Sequence, residues 1–219
     1  ALQAMTDAGA TVEDVTIEDL NSITGYSSVS RWEFRDHMTE YLESWPSDED
    51  GHLRSFEAVV ASGGYENDSL FVLVLDAASG HTREFDPTYL ENVRERGPFV
   101  RERLQAALDN RLLDGTQQGA AYDVLLYPSV LGLAPAAGSS PSAGSNNRLS
   151  PFSGFPAVSV PAGLAATDPA LPVGMELLGR EFDEARILRL AYAFEQHVAQ
   201  TPGLGRAAPT YTPELAERD

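Results

Sequence analysis

The spacing of apolar residues changes along the chain, and the change divides it in two. Residues 1–8 have helical spacing that Gly9 ends, and ATVEDVTI (10–17) then alternates as a strand does. RWEFRDHMTEYLE (31–43) sets Trp32, Phe34, Arg35, Met38, Tyr41 and Leu42 at mixed helical spacing, and Pro46 with the acidic turn SDEDG closes that helix. LRSFEAVVASGG (53–64) predicts a short helix with a Gly–Gly stop. NDSLFVLVLDAASG (67–80) carries two signals. Its β-branched run favours a strand, while its Asn-Asp-Ser opening and alanine-rich end favour a helix, the reading given slight preference. DPTYLENVRERGPFVRERLQAALDNRLL (86–113) reads as helix on both sides of Gly97–Pro98, with Pro98 placed to open the second segment.

From about residue 120 the pattern shortens. YDVLLYPSV (122–130) is a nearly continuous apolar run closed by proline, as a buried strand would be. A Gly/Ser/Pro/Ala loop fills 132–150, and FPAVSVPAG (155–163) and PVGMELLGR (172–180) predict two more strands. Gly154 and Gly163 permit sharp turns at the ends of the first, whose pairing Pro156 and Pro161 restrict. Gly174 and Gly179 bracket the second, leaving little bulk where a neighbouring backbone or ligand passes. An amphipathic helix begins near Asp183, which can cap it, with Ile187, Leu190, Ala191, Phe194 and Val198 on one face. The tail 201–219 reads as extended. The expected organisation is α/β: residues 1–119 mainly helical with an opening strand, then a sheet, loop and helix over 120–200, forming a mixed β-sheet covered by α-helices.

Composition narrows the class. With 219 residues, 42% of them hydrophobic, the chain can build one substantial core or one large lobe of something bigger. Its net charge of −18 repels phosphate backbones, so nucleic acid is not an expected partner. Arg94, Arg96, Arg101 and Arg103 cluster, but Glu91, Glu95 and Glu102 alternate with them as on a solvated helix face. There is no cysteine, which excludes disulfides and thiolate chemistry and leaves the compartment undecided. The longest strongly apolar run, LFVLVL (70–75), is too short to span a bilayer, so no membrane partner is expected. The chain opens without an initiator methionine or a signal peptide and reads as beginning inside a longer protein. A cytoplasmic location is expected, with export left open.

Candidate chemistry begins with AAGSSPSAGS (136–145). Glycines bring a backbone close to a substrate, but a serine hydroxyl needs a neighbouring base before it can attack. His37, His52, His81 and His197 are scattered, with no pair spaced for metal on one helix face, and each reads as a surface or helix-end residue. No serine sits in a G-x-S-x-G elbow. Asp48, Asp50, Gly51 and Glu57 match four positions of a calcium loop, but Pro46 stands where its first carboxylate should be. No glycine-rich phosphate or dinucleotide motif is present. One loop differs from the rest: Asn146, Asn147, Arg148 and Ser150 place polar groups beside a buried strand.

AYDVLLYPSV, AGSNNRLSPFSGFPAVSVPAGL and LPVGMELLGREFDEARILRLAYAFEQ, in that order, resemble the C-terminal half of the amidase signature family. The resemblance is dense over about 120–197. It is looser over 1–119, where DAGATVEDVTI looks like the strand that opens this half and WEFRDHMTEYLE like a segment of peptide-amidase-like members. The resemblance implies the C-terminal portion of the amidase signature fold. The family activity is hydrolysis of a carboxamide C–N bond through an acyl-enzyme, without a cofactor or metal. It also implies that the approach to the S-G-F-P strand faces substrate, making Asn146, Asn147, Ser150, Gly154 and Phe155 the expected substrate-binding residues. The family's Ser–cis-Ser–Lys triad lies in its N-terminal half.

This chain has no lysine, so no catalytic residue is assigned in it, and Ser139 and Ser140 are read as loop residues. The expected partners are a small-molecule or peptide amide and the missing N-terminal half of the same polypeptide. Without that half, apolar surface would be exposed and self-association left open. The lobe is expected to be inactive alone. Two alternatives remain: a non-catalytic binding lobe, and part of an amidotransferase A-type subunit.

Overall fold

The structure is a computed structural model that describes residues 1–45, 53–63, 83, 85–136, 139, 144, 146–168 and 170–200. The readings of SDEDG, of the calcium-like loop, of 67–80, of His52 and His81 and of the tail lie wholly or largely outside these residues. The chain forms two compact units, one of 1–20 with 100–219 and one of 21–99.

The 21–99 unit is helical. α2 (Leu20–Gly25) leads into it, followed by α3 (Ser30–Ser44), α4 (Phe56–Ser62) and α5 (Pro87–Arg94). α4 begins where the Ser55 hydroxyl accepts the Ala58 N–H and stops at Gly63, whose φ of +63° suits a residue without a side chain. The Asp86 carboxylate accepts from the N–H groups of Thr88 and Tyr89, and Pro87 fills the first turn of α5, where a missing N–H costs nothing. Phe34 meets Phe56 edge-on at 5.8 Å, and Trp32 tilts against Tyr89 at the same distance. These aromatic pairs explain the mixed helical spacing read in 31–43: the segment packs on two sides.

The second unit contains the sheet. α1 (Leu2–Asp7) and most of α6 (Arg96–Leu108) belong to it, with β1 (Leu125–Tyr127), α7 (Leu149–Ser153), β2 (Ala157–Leu164), β3 (Pro172–Leu178) and α8 (Glu184–Ala199). Strand order is β1-β3-β2 with both pairings antiparallel, so β1 and β2 run the same way on either side of β3. Gly163, at φ +119°, absorbs a register irregularity between Pro161 and Gly163. One face of the sheet packs on α8. Val160, Met175 and Leu177 meet Ala191, Phe194 and Val198, with Ala4 of α1 at the edge.

Two expectations are corrected. Residues 10–17 form no strand: alternation describes the side chains, but a strand also needs a ladder partner, and none of the described residues pairs with this segment. Leu190 is 36% exposed while Ile187, Ala191, Phe194 and Val198 are buried, because position 190 lies 60° or more around the helix from the centre of that stripe. Asp183 does occupy the N-cap of α8, yet its carboxylate makes no cap hydrogen bond and instead pairs with Arg186 at 2.7 Å.

Two close approaches fix the end of β3. A Cβ at Gly179 would lie 2.6 Å from Cγ2 of Ile187, so only glycine lets the strand end meet α8. Beside it the Arg180 guanidinium donates to the carbonyls of Tyr122 (2.7 Å) and Leu108 (2.9 Å) and to the Asp109 carboxylate (3.1 Å). One side chain thereby ties the C-terminal end of α6 and the approach to β1 to the end of β3.

Candidate functional site

The loop singled out in sequence docks where β1 ends. Pro128 stops the strand, and the next carbonyl, that of Ser129, accepts the N–H groups of both Asn146 and Asn147 at 3.0 Å. The Asn146 side-chain amide donates to the Pro128 carbonyl at 3.2 Å. Asn146 is therefore engaged with the scaffold; Asn147 is exposed, and Arg148 and Ser150 are half-buried.

Behind them α7 is a single turn held by serines. The Ser150 hydroxyl donates to the Phe155 carbonyl at 2.7 Å, and the Ser153 hydroxyl donates to the Leu149 carbonyl at 2.7 Å while accepting the Phe155 N–H at 3.0 Å. Gly154 closes the turn at φ +79°, donating its N–H to the Ser150 carbonyl. Arg101 of α6 donates to the Ser153 carbonyl at 3.1 Å.

The five residues expected to bind substrate are thus brought into one small region, but they do different things in it. Phe155 is buried in the packing and Ser150 is engaged with the backbone, so both shape the region. Gly154 is exposed at the turn, and Asn147 is exposed in the loop. Ser139 lies in the loop, its N–H bonded to the Ala136 carbonyl, while Ser140 lies outside the described residues. Of the two described histidines, His37 is exposed on α3 and His197 sits in the last turn of α8.

Sequence reasoning missed the groups beside this loop. Tyr127 and Glu176 are register partners on β1 and β3, and the Tyr127 hydroxyl donates to the Glu176 carboxylate at 2.6 Å. Ser159 of β2 is the register partner of Glu176 on its other side. Register partners share a face, so Tyr127, Glu176 and Ser159 form one row across the sheet, on the face turned away from α8. Burial, then the bond to Glu176 and its charge, push the Tyr127 phenol far above its usual range, so it remains a donor. The available signal was the glutamate of GMELLG: it interrupts an apolar run at a position that a buried strand fills with a hydrophobe.

A separate concavity of about 380 Å³ lies in the 21–99 unit along α3, where Phe34, Met38 and Tyr41 flank Glu33 and His37. Glu33 there accepts the Tyr89 hydroxyl at 2.8 Å. Among the described residues no group of three histidines and carboxylates is placed to hold a metal, and no helix is long and apolar enough to cross a membrane.

Comparison with known proteins bears on the whole arrangement. The fold is similar to that of an amidase family protein from Bacillus anthracis, with a TM-score of 0.62 and 17% identity over 94% of this chain and 36% of that one. It is also similar to the peptide amidase PAM solved with the inhibitor chymostatin, with a TM-score of 0.57 and 20% identity over 92% of this chain and 36% of that one. Among curated proteins, the A subunit of glutamyl-tRNA(Gln) amidotransferase from Syntrophomonas wolfei is 56% identical over 46 residues, 21% of this chain and 9% of that subunit. The chain therefore spans well under half the length of these relatives. Residues 1–188 match the family model described as Amidase, and the chain belongs to the amidase signature family.

Proposed function

We propose that this chain is the C-terminal part of an amidase that cleaves a carboxamide C–N bond through an acyl-enzyme and releases ammonia or an amine. The observation that carries the proposal is the family match over residues 1–188 of a chain that contains no lysine. The triad of the family requires that lysine, so the lobe supplies walls and sheet to a nucleophile carried upstream, and alone it is inactive. Its contribution is the loop at the end of β1. Asn147 faces the acyl-side pocket, while Asn146, Ser150, Gly154 and Phe155 fix the loop that presents it.

The test is to extend the chain upstream in its own reading frame and to assay ammonia release from a panel of peptide and small-molecule carboxamides. The extended protein is expected to contain a lysine and a Gly-Gly-Ser-Ser-type stretch and to release ammonia, while the 219-residue chain does not. An extension lacking both lysine and serine pair would sink the enzyme reading and leave a binding lobe. The second reading, an amidotransferase A-type subunit, is favoured by the 56% identity over 46 residues. A net charge of −18 argues against direct contact with tRNA. A transamidation assay on glutamyl-tRNA separates the two.

A further inference from the structure

The face of the sheet turned away from α8 changes in character from one row to the next. Leu125, Leu178 and Ala157 form an apolar row in which both leucines are buried. Tyr127, Glu176 and Ser159 form the next row. Beyond it Pro161 pairs with Gly174, both exposed, and Gly174 contributes no side chain at all. The loop carrying Asn146 and Asn147 is anchored to Ser129, two residues past Tyr127.

Glu176 is unusual in this setting. It is 6% exposed, and among the described residues the one hydrogen-bond partner of its carboxylate is the neutral Tyr127 hydroxyl. Among the described residues no arginine or histidine forms an ion pair with it, whereas the half-buried Asp109 has Arg180 and Arg111 and the half-buried Asp183 has Arg186. A carboxylate taken out of water without a cation is costly, and a single phenol repays only part of that cost. Among the described residues no donor reaches its second oxygen. A chain of net charge −18 also concentrates cations at its surface.

We propose that Glu176, held by Tyr127 and flanked by Ser159, is the recognition carboxylate of a binding site for a small primary alkylammonium ion. The ammonium donates to the free oxygen of Glu176 and to the Ser159 hydroxyl, and its alkyl chain lies over Gly174 and Pro161, where no larger side chain stands. The residues of the site all belong to the sheet of this chain, so its test does not require amidase activity.

The test is titration of the 219-residue chain, with its tyrosines labelled, by n-butylammonium chloride. Neutral n-butanol is the control, and acetyl-lysine methylamide asks whether a lysine side chain serves as well as a free amine. Butylammonium is expected to shift the Tyr127 ring resonance saturably and butanol not to. Glu176→Gln is expected to weaken butylammonium binding at least about tenfold, as removal of a buried charged partner does. The same variant is expected to melt at or above the wild-type temperature, since it removes an uncompensated buried charge. Tyr127→Phe is expected to leave binding in place but weaken it by roughly threefold, the value of one lost supporting hydrogen bond.

A saturable shift with acetyl-lysine methylamide as well would identify the ammonium of a lysine side chain as an equal ligand, and its absence would restrict the site to free amines. The proposal is overturned if butylammonium shifts nothing, if butanol binds equally, or if Glu176→Gln binds butylammonium unchanged. A Glu176→Gln chain that melts well below wild type would also overturn it, by making the carboxylate a structural anchor.

Discussion

The two faces of the three-stranded sheet are built from the same strands, one residue out of step, and they do opposite work. On the α8 face Val158, Val160, Met175 and Leu177 meet a helix stripe of Ala191, Phe194 and Val198, with Leu126 and Ala162 at the margin. That face contains nothing that needs a hydrogen bond. On the other face the residues between them pass from buried leucines through Tyr127–Glu176–Ser159 to Gly174 and Pro161. The first face stabilises the lobe by removing apolar surface from water. The second gives up part of that stabilisation to hold a carboxylate beside a loop rich in polar groups. Position 176 lies between two core residues, Met175 and Leu177, so what separates a core residue from a recognition residue here is the face and not the neighbourhood in sequence.

Substitutions on the α8 face should therefore be the most damaging. Leu177→Ala is expected to cost about 3 kcal/mol in urea unfolding, the usual range for a buried leucine whose site cannot collapse. A loss as small as that of a surface substitution would mean this face is not the core. Gly179→Ala should come next, at roughly 2 kcal/mol, because its Cβ would sit 2.6 Å from the Ile187 side chain. Ile187→Ala removes the clashing methyl, so a double-mutant cycle should recover part of the Gly179→Ala loss. Strict additivity would show that the close contact is not the cause.

Sequence periodicity carried the α8 face well and the other face poorly. Ile187, Ala191, Phe194 and Val198 repeat at helical spacing, and the strands of PAVSVPAG and PVGMELLG were legible from short apolar runs bounded by proline and glycine. The strand expected at 10–17 failed for a different reason: its alternation is local, whereas pairing depends on a segment elsewhere. Arg180 was invisible because Leu108 and Tyr122, whose carbonyls it binds, lie 72 and 58 residues away. The candidate loop was legible as a place, from its polar residues and the family resemblance. What each residue does in it was not, because the engagement of Ser150 with the Phe155 carbonyl and the burial of Phe155 are tertiary facts.

Arg180 stands just past the end of β3, and a smaller effect is expected there. Arg180→Lys keeps the charge but loses the planar fork, so one or more of the two carbonyls and the carboxylate loses its donor, at about 1 kcal/mol. Burial raises the pKa of Asp109, but hydrogen bonds from Gln105 and Arg180 and the charges of Arg180 and Arg111 outweigh it, and the carboxyl is held below 3.8. A depressed folded pKa means that the charged form contributes stability above the unfolded value, and that this contribution fades as pH falls through the folded one. Wild type should accordingly exceed Asp109→Asn by its full margin above pH 3.8, with the two curves converging in acid. A constant margin at all pH values would show that the carboxylate's charge is not what holds Arg180.

The smallest effect tests the open part of the other face. Ser159 is exposed beside Glu176, and valine is the better strand former, so Ser159→Val should change stability by no more than about 0.5 kcal/mol, with the gain and loss nearly offsetting. The adjacent Val158 points into the α8 core, and Val158→Ser should cost several times more, since it removes apolar contact and leaves a hydroxyl to satisfy. The pair differ by one residue and by which side of the sheet they occupy. Equal costs at 158 and 159 would erase the distinction between the faces. A large stabilisation from Ser159→Val would show that the row around Glu176 behaves as a core, which would remove the physical ground for a carboxylate site there.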